Sequence, residues 1–275
     1  MTTLAVHRHG PTGDVPLVLL HAFPLDSRMY AGLLPHLTDL PTLSVDSPGF
    51  GDSPSPADVA DALAWTDGPR LEMVARAVLA ALDEQGVDRF VLAGTSIGGY
   101  VSMRLAALAP ERLAGIGLID TKAAPDPGEA RERRERLAVD VLGPPGVSAL
   151  APTLGPLLGT TTANDAPGLT DAVAGWAAEA TPEGVAFAAR AMAARPDSTD
   201  DLRALGRRGV AALVLRGAED SLATGDDALD MADALGTEVL EIASVGHLAP
   251  LEAPEAVGGA LRDLHERAVG LAREP

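Results

Sequence analysis

The stretch Gly94–Gly99 reads Gly-Thr-Ser-Ile-Gly-Gly and lies between two segments of different pattern. Residues 88–93 before it form a short apolar run with strand character, and the apolar residues after it recur at roughly helical spacing. Ser96 is therefore predicted on a tight turn from a buried strand into a helix. Gly94 and Gly98 leave room for strained backbone at the serine, and the helix start supplies free N–H groups. This context favours a nucleophilic serine over a turn that serves packing alone.

The composition is that of a globular protein of 275 residues, 47% of them hydrophobic, long enough for one large α/β domain or a domain with an insertion. The net charge of −18 disfavours nucleic acid and anionic membrane surfaces as partners. No apolar run approaches the roughly 18 residues of a membrane span, and residues 1–10 lack the pattern of a secretory signal. With no cysteine present, a cytoplasmic location is expected. Nothing in the sequence indicates an oligomeric state.

Short apolar runs of strand character alternate with helical patterns along the chain. The alternation predicts right-handed crossovers and a mostly parallel sheet flanked by helices, with the ligand site at the carboxyl ends of the strands. Besides Ser96, the residues His21, Asp46 and Asp120 stand at such ends. Residues 26–37 are predicted to form one helix. The other predicted strands are 3–9, 16–20, 41–46, 115–119, 210–215 and 238–243.

Composition changes after Asp120. Residues 121–201 are rich in Pro and Gly and carry amphipathic helical stretches without a strand pattern. They are predicted to form a helical cap, inserted after the sixth strand and lying over the strand ends as a lid. The α/β core then comprises residues 1–120 and 202–275. Trp176 either lines a substrate pocket under the cap or packs within the cap.

A serine hydroxyl needs a base that takes its proton, and a neutral imidazole held by a carboxylate does this near pH 7. In sheets of this kind the acid and then the histidine follow the serine. Only His247 and His265 follow Ser96. His265 falls within the terminal helix pattern, so His247, in a glycine turn after a strand, is the predicted base. Asp220 is favoured as the acid, and Asp120 stays open as the alternative.

Acyl transfer also needs donors for the developing oxyanion. The backbone N–H of Ile97, directly after the serine, is one candidate. The second should come from the loop after an earlier strand, which indicates the N–H of Phe23.

His7 and His9 would share one face of a strand, which is compatible with a metal ion. No third ligand and no other metal spacing is apparent. We therefore interpret them as surface histidines and expect neither a metal nor a cofactor.

Five short motifs, taken together and in this order, resemble those of the α/β-hydrolase superfamily in its serine-nucleophile branch. The resemblance covers about residues 15–120 and 210–260, and residues 21–29 are similar to a branch containing 3-oxoadipate enol-lactonases and related esterases. Ala22 stands where that pattern has glycine, and Ile97 where methionine is common. The motifs are His21–Pro24, Asp46–Ser53, Gly94–Gly99, Gly217–Asp220 and Gly246–His247.

The resemblance implies a serine hydrolase of small carboxylic esters or lactones that works through an acyl-enzyme without a cofactor. Carbon–carbon bond hydrolysis and cofactor-free haloperoxidase chemistry would use the same triad. A non-catalytic ligand-binding protein on this scaffold is the alternative from a different class.

Overall fold

A computed structural model describes residues 4–271, so the ends of both predicted core segments, 1–3 and 272–275, lie outside the described residues. Its seven-stranded sheet has the order β1-β3-β2-β4-β5-β6-β7. Only the pairing of β1 with β3 is antiparallel among the strand pairs that the structure describes. The strands are β1 Val6–His9, β2 Leu17–Leu20, β3 Thr42–Val45, β4 Phe90–Thr95, β5 Leu113–Ile119, β6 Ala211–Gly217 and β7 Val239–Ile242.

Alternate residues of the central strands face opposite sides of the sheet, so an unbroken apolar run supplies two hydrophobic cores. In β2, Val18 and Leu20 belong to one core, whereas Leu17 and Leu19 belong to the other. All four are fully or almost fully buried. This two-sided burial is the reason why β2 carries no polar residue.

Helices cover both faces of the sheet. The first core includes residues of α2, α3 and α10, and the second includes residues of α12. No helix in residues 4–271 is long and apolar enough to cross a membrane. The helices are α1 Pro56–Ala62, α2 Leu71–Glu84, α3 Ile97–Leu108, α4 Gly128–Leu142, α5 Ala151–Leu154, α6 Thr160–Asp165, α7 Pro167–Glu179, α8 Pro182–Ala193, α9 Thr199–Arg207, α10 Gly225–Leu235, α11 Ala249–Glu252 and α12 Pro254–Leu271.

The segment between β5 and β6 contains helices α4 to α9 and two short 3-10 helices, Gly146–Leu150 and Gly155–Leu157, with no strand. Its position in the chain differs from the expectation. It follows the fifth strand of the described sheet, not the sixth, in agreement with the five strand-like runs that precede residue 121 in the sequence.

Residues 26–37 were expected to form one helix and instead form two 3-10 helices, Ser27–Tyr30 and Leu34–Leu37. Pro35 has no N–H to donate to the preceding turn, so a continuous α-helix cannot pass through it. The Asp26 side chain caps the first of these helices at Arg28. The Asp46 carboxylate accepts hydrogen bonds from both the N–H and the hydroxyl of Ser27. These contacts hold the segment close to the end of β3.

Candidate active site

Ser96 lies between β4 and α3 with backbone angles φ 54° and ψ −115°. A non-glycine residue rarely adopts such angles, which cost on the order of 1–3 kcal/mol and persist only where the surroundings enforce them. The surroundings here are glycine contacts: a Cβ atom on Gly94 would lie 2.2 Å from the Gly98 carbonyl, and one on Gly98 would lie 2.1 Å from the Leu20 carbonyl oxygen. The two glycines thus let the backbone close tightly around the serine. Ser96 itself is only 8% exposed.

His247 and Asp220 come from loops after β7 and β6 and meet at Ser96. The imidazole Nε2 lies 2.8 Å from the Ser96 hydroxyl, and Nδ1 lies 2.9 Å from Asp220 Oδ2. A carboxylate only accepts hydrogen bonds, so Nδ1 carries the proton and Nε2 is left as the acceptor for the serine hydroxyl. The three residues predicted from the sequence therefore stand in one hydrogen-bonded chain.

Asp220 is held as a carboxylate. Burial alone would raise its pKa, but the hydrogen bond and charge of His247 and the N–H groups of Leu222 and Ala223 outweigh burial and lower the pKa below its usual range. Those two N–H groups bind Oδ1 at 2.7 and 3.1 Å, leaving Oδ2 for the histidine. A fixed negative charge at this position favours a positively charged imidazole.

Asp120, the alternative acid, is fully buried at the end of β5 but makes no hydrogen bond to the imidazole. Its Oδ1 accepts the N–H of Gly217 at 2.8 Å, and its Oδ2 accepts the N–H of Ala249 at 2.9 Å. The carboxyl group thus joins the end of β6 to the start of α11. Burial raises its pKa to about 7, with His247 opposing the rise and Asp220 adding to it.

The two predicted oxyanion donors lie next to the serine turn. Ile97 is the first residue of α3, so its N–H has no acceptor within the helix. Phe23 follows β2, which pairs with β4 so that Leu20 lies opposite Gly94. The assignment of the Phe23 and Ile97 N–H groups as oxyanion donors stays a prediction.

Trp176 lies on α7 and is partly buried against the second core. The Arg28 guanidinium sits 6.0 Å from its ring centroid and forms an ion pair with Glu179 at 2.6 Å. These contacts join α7 to the 3-10 helix that begins at Ser27. They do not place the indole at the serine, so a pocket role for Trp176 stays a prediction.

His7 lies closer to possible ligand atoms than the sequence indicated, because His7, Asp46 and Asp52 bring one such atom each within 4.8 Å of the others. The Asp46 carboxylate is already engaged by four hydrogen bonds, from His7, from the N–H of Asp52 and from two donors of Ser27. His9 bonds to the Ser44 hydroxyl instead. A cavity of about 390 Å³ adjoins this cluster. The Asp46 carboxylate thus has its partners within the protein, and the expectation of no metal stays a prediction.

Two glutamates that sequence reasoning did not single out bind the loops of the site. Glu252 accepts N–H groups on both sides of His247, and Glu219, directly before Asp220, accepts two hydrogen bonds from Thr161. The only signal in the sequence was for Glu219, which lies in the Gly217–Asp220 motif, whereas Glu252 lies outside the five motifs. Such a signal does not say which backbone groups a carboxylate binds.

A serine on a strand-to-helix turn, with an acid and a histidine from later strand-end loops of a mostly parallel sheet, defines the α/β-hydrolase class. Residues 15–254 match the family model described as alpha/beta hydrolase fold. The chain belongs to this family, and the prediction of the superfamily and of its fold is confirmed.

Three relatives illustrate the similarity. An esterase from Thermogutta terrifontis, solved with malate bound, is 33% identical with a TM-score of 0.87, covering 96% of this chain and 93% of its own. The lipase LipV of Mycobacterium tuberculosis is 34% identical over 129 residues, 47% of this chain and only 46% of the lipase. The 3-oxoadipate enol-lactonase 2 of Acinetobacter baylyi is 25% identical over 224 residues, 81% of this chain and 77% of the lactonase. The class of enzyme common to these relatives is a hydrolase.

Proposed function

We propose that this protein hydrolyses small carboxylic esters or lactones, with Ser96 as nucleophile, His247 as base and Asp220 as the acid that orients it. The observation that carries the proposal is the 2.8 Å contact between the Ser96 hydroxyl and an imidazole whose other nitrogen is held by Asp220. Hydrogen-bond reach of this kind is what general-base activation of a hydroxyl requires. The esterase and lactonase relatives support the substrate class.

In the first half-reaction, Ser96 Oγ attacks the carbonyl carbon while His247 Nε2 takes its proton. The carbonyl oxygen becomes an oxyanion, which the N–H groups of Phe23 and Ile97 stabilise. The bond to the leaving oxygen then breaks, and Nε2 returns the proton to that oxygen. An alcohol departs from an ester, whereas a lactone keeps its hydroxyl on the acyl group.

In the second half-reaction, water attacks the acyl-enzyme and His247 takes a proton from it. Collapse of the second tetrahedral intermediate breaks the bond to Ser96 Oγ, which regains its proton from Nε2. The carboxylic acid is released and the enzyme is restored. Asp220 keeps its charge throughout and stabilises the imidazolium in both half-reactions.

The test is hydrolysis of short p-nitrophenyl esters and of small lactones by the wild type and by Ser96→Ala. We expect kcat to fall by about 10⁴–10⁶-fold in the variant, the range that loss of a serine nucleophile produces. Ser148→Ala, at an exposed position between β5 and β6, is the matched control and should keep full activity. Retention of activity by Ser96→Ala would remove the serine from the mechanism.

A fluorophosphonate probe separates a hydrolase from a ligand-binding protein, because it reacts only with an activated serine. We expect one adduct per chain, at Ser96, in the wild type and in Ser148→Ala. A folded wild-type protein that remains unlabelled would contradict the proposed hydrolase.

A further inference from the structure

The two backbone N–H groups that flank His247 bind one carboxylate. Glu252 Oε2 accepts the N–H of Gly246 at 2.9 Å, and Oε1 accepts the N–H of Leu248 at 3.0 Å. These are the residues directly before and after the histidine. The peptide groups on either side of the imidazole therefore share one acceptor, the side chain at the end of α11.

The same carboxylate also binds the segment between β5 and β6. Oε2 accepts the N–H of Gly159 at 2.9 Å. Gly159 and Gly246 are in close contact: a Cβ atom on Gly246 would lie 2.0 Å from Gly159 N, and one on Gly159 would lie 2.8 Å from Gly246 N. No side chain fits between the two backbones, so a shift of one must move the other.

The loop of the acid is bound to the same place. Glu219, directly before Asp220, accepts the Thr161 hydroxyl at 2.5 Å and the Thr161 N–H at 2.9 Å, and these bonds hold the pKa of Glu219 below its usual value. Its own N–H donates to Val245 O at 2.7 Å. Residues 159–161, which open α6, thus contact the loops of both the acid and the histidine; we name them the α6 start.

We propose that Glu252 is a positioning residue for His247 and that the α6 start helps Glu252 to hold the imidazole in place. The inference rests on the proposed role of His247 as base. Glu252 acts by fixing the backbone on both sides of the histidine, and the α6 start by supplying the third N–H group and the close glycine contact. The segment between β5 and β6, predicted as a cap over the strand ends, then also helps to position the triad.

Such a role is measurable because proton transfer depends steeply on distance. Misplacement of a reacting group by about 1 Å costs on the order of 10²-fold in rate. Loss of the Glu252 carboxylate leaves the N–H groups of Gly246, Leu248 and Gly159 without their acceptor. A methyl group added at Gly159 pushes the backbones of Gly159 and Gly246 apart.

The experiment compares Glu252→Ala, Glu252→Gln and Gly159→Ala with two matched controls, Glu255→Gln and Gly155→Ala. Glu255 is exposed at the start of α12, and a Cβ atom on Gly155 would meet nothing within 4 Å. The backbone of Gly159, at φ −62° and ψ 152°, suits alanine. Any effect of Gly159→Ala therefore comes from the contacts of the added methyl group, which would lie 2.7 Å from Glu219 Oε2 and 2.8 Å from Gly246 N, and not from backbone strain.

Kinetics on p-nitrophenyl acetate and the rate of fluorophosphonate labelling are measured per folded protein, well below the unfolding temperature. We expect Glu252→Ala and Gly159→Ala to lower kcat and the labelling rate by about 10–100-fold with KM changed less than about threefold. Glu252→Gln should lie between them and the wild type, because glutamine keeps one carbonyl oxygen as acceptor. Both controls should match the wild type.

The double variant Glu252→Ala, Gly159→Ala sharpens the test. Substitutions of two residues that act through one contact do not have additive effects on the activation free energy. The kcat of the double variant should therefore lie no more than about threefold below that of the slower single variant. If the decrease in kcat of the double variant equals the product of the two single decreases, the two residues act independently and their proposed joint role is overturned. If Glu252→Ala does not fold, Glu252→Gln and Gly159→Ala still decide the matter.

Labelling and kcat within twofold of the wild type in both Glu252→Gln and Gly159→Ala would overturn the positioning role, as would losses that only follow the unfolded fraction. Failure of the proposed function looks different. In that case the wild type is unlabelled or Ser96→Ala keeps its activity, whatever Glu252 does.

Discussion

The loops after β5 and β6 each place a buried aspartate near the same imidazole, and the two carboxyl groups have different partners. Asp120 directly follows β5, and its two oxygens bind backbone N–H groups of Gly217 and Ala249. Asp220 lies three residues beyond the end of β6, and one of its oxygens binds His247. Position at a strand end thus does not decide which carboxylate can serve as the acid. What decides it is whether the carboxylate keeps one oxygen that faces the imidazole, as Asp220 does.

The electrostatic states of the two groups differ accordingly. Burial raises the pKa of Asp120 to about 7, whereas hydrogen bonding and charge from His247 overcome burial and lower the pKa of Asp220. A group that is always ionised near neutral pH can stabilise an imidazolium, and a group that is partly protonated there does so less well. We infer that Asp120 holds the loops and Asp220 works with the base.

Among the substitutions that test this difference between the two aspartates, Asp220→Asn is expected to have the largest effect on kcat. The asparagine amide can donate to the imidazole, which favours the wrong tautomer and removes the charge that stabilises the imidazolium. We expect kcat for p-nitrophenyl ester hydrolysis to fall by about 10³–10⁴-fold. Far-UV circular dichroism should show an unchanged fold, and more than a tenth of wild-type activity in the variant would contradict the role of Asp220.

Asp120→Asn should lower kcat less than Asp220→Asn does. Asparagine resembles the neutral carboxyl group in shape and keeps one carbonyl oxygen for an N–H group of Gly217 or Ala249. We expect kcat to fall about tenfold or less, since the substitution acts on the proposed chemistry only indirectly, through a modest shift of the His247 loop and through the lost charge interaction with the imidazole. A loss equal to that of Asp220→Asn, measured in the same assay, would contradict a purely structural role for Asp120.

The sequence predicted the serine turn well because its constraints are local. Gly94 and Gly98 are needed by the backbone whatever the remainder of the chain does, and strand and helix patterns flank them. His247 was predicted by elimination, because few histidines follow Ser96. The inner strands β2 to β6 were predicted for a similar reason, since a run buried on both faces is unbroken in sequence.

The contacts between loops could not be predicted in the same way. Asp120 and Asp220 both follow apolar strands, and only the three-dimensional path of the chain shows which oxygen faces the imidazole. The roles proposed for Glu252 and Glu219 depend on backbone N–H groups, which every residue except proline carries and which leave no pattern in sequence. The segment 26–37 was interpreted as one helix from its apolar spacing, although Pro35 and the carboxylate of Asp46 override that spacing.

The smallest effect concerns stability against pH and compares wild type with Asp120→Asn. Asp120 binds a proton more tightly in the folded protein than in the unfolded chain, because burial raises its pKa to about 7. Its contribution to stability is therefore fully present below about pH 4, the ordinary pKa of an aspartate, and is lost as pH rises through the folded value. Asparagine does not titrate, so the unfolding free energy of the wild type minus that of the variant should fall from about pH 5.5 to about pH 8.5. We expect a fall of about 1–2 kcal/mol, measured by urea unfolding at each pH.

Asp220, whose pKa is lowered, contributes in the opposite sense: its stabilisation is present above its ordinary pKa and is lost as pH falls through the lower folded value. Between about pH 5.5 and about pH 8.5 Asp220 is ionised in both the folded and the unfolded state, so its own titration adds no pH dependence to stability in that range. A pH-independent difference between wild type and Asp120→Asn would contradict the raised pKa of Asp120. The direction of the pH dependence separates a buried structural carboxyl group from one kept charged by an imidazole, because the stabilisation from Asp120 is lost as pH rises and that from Asp220 is lost as pH falls.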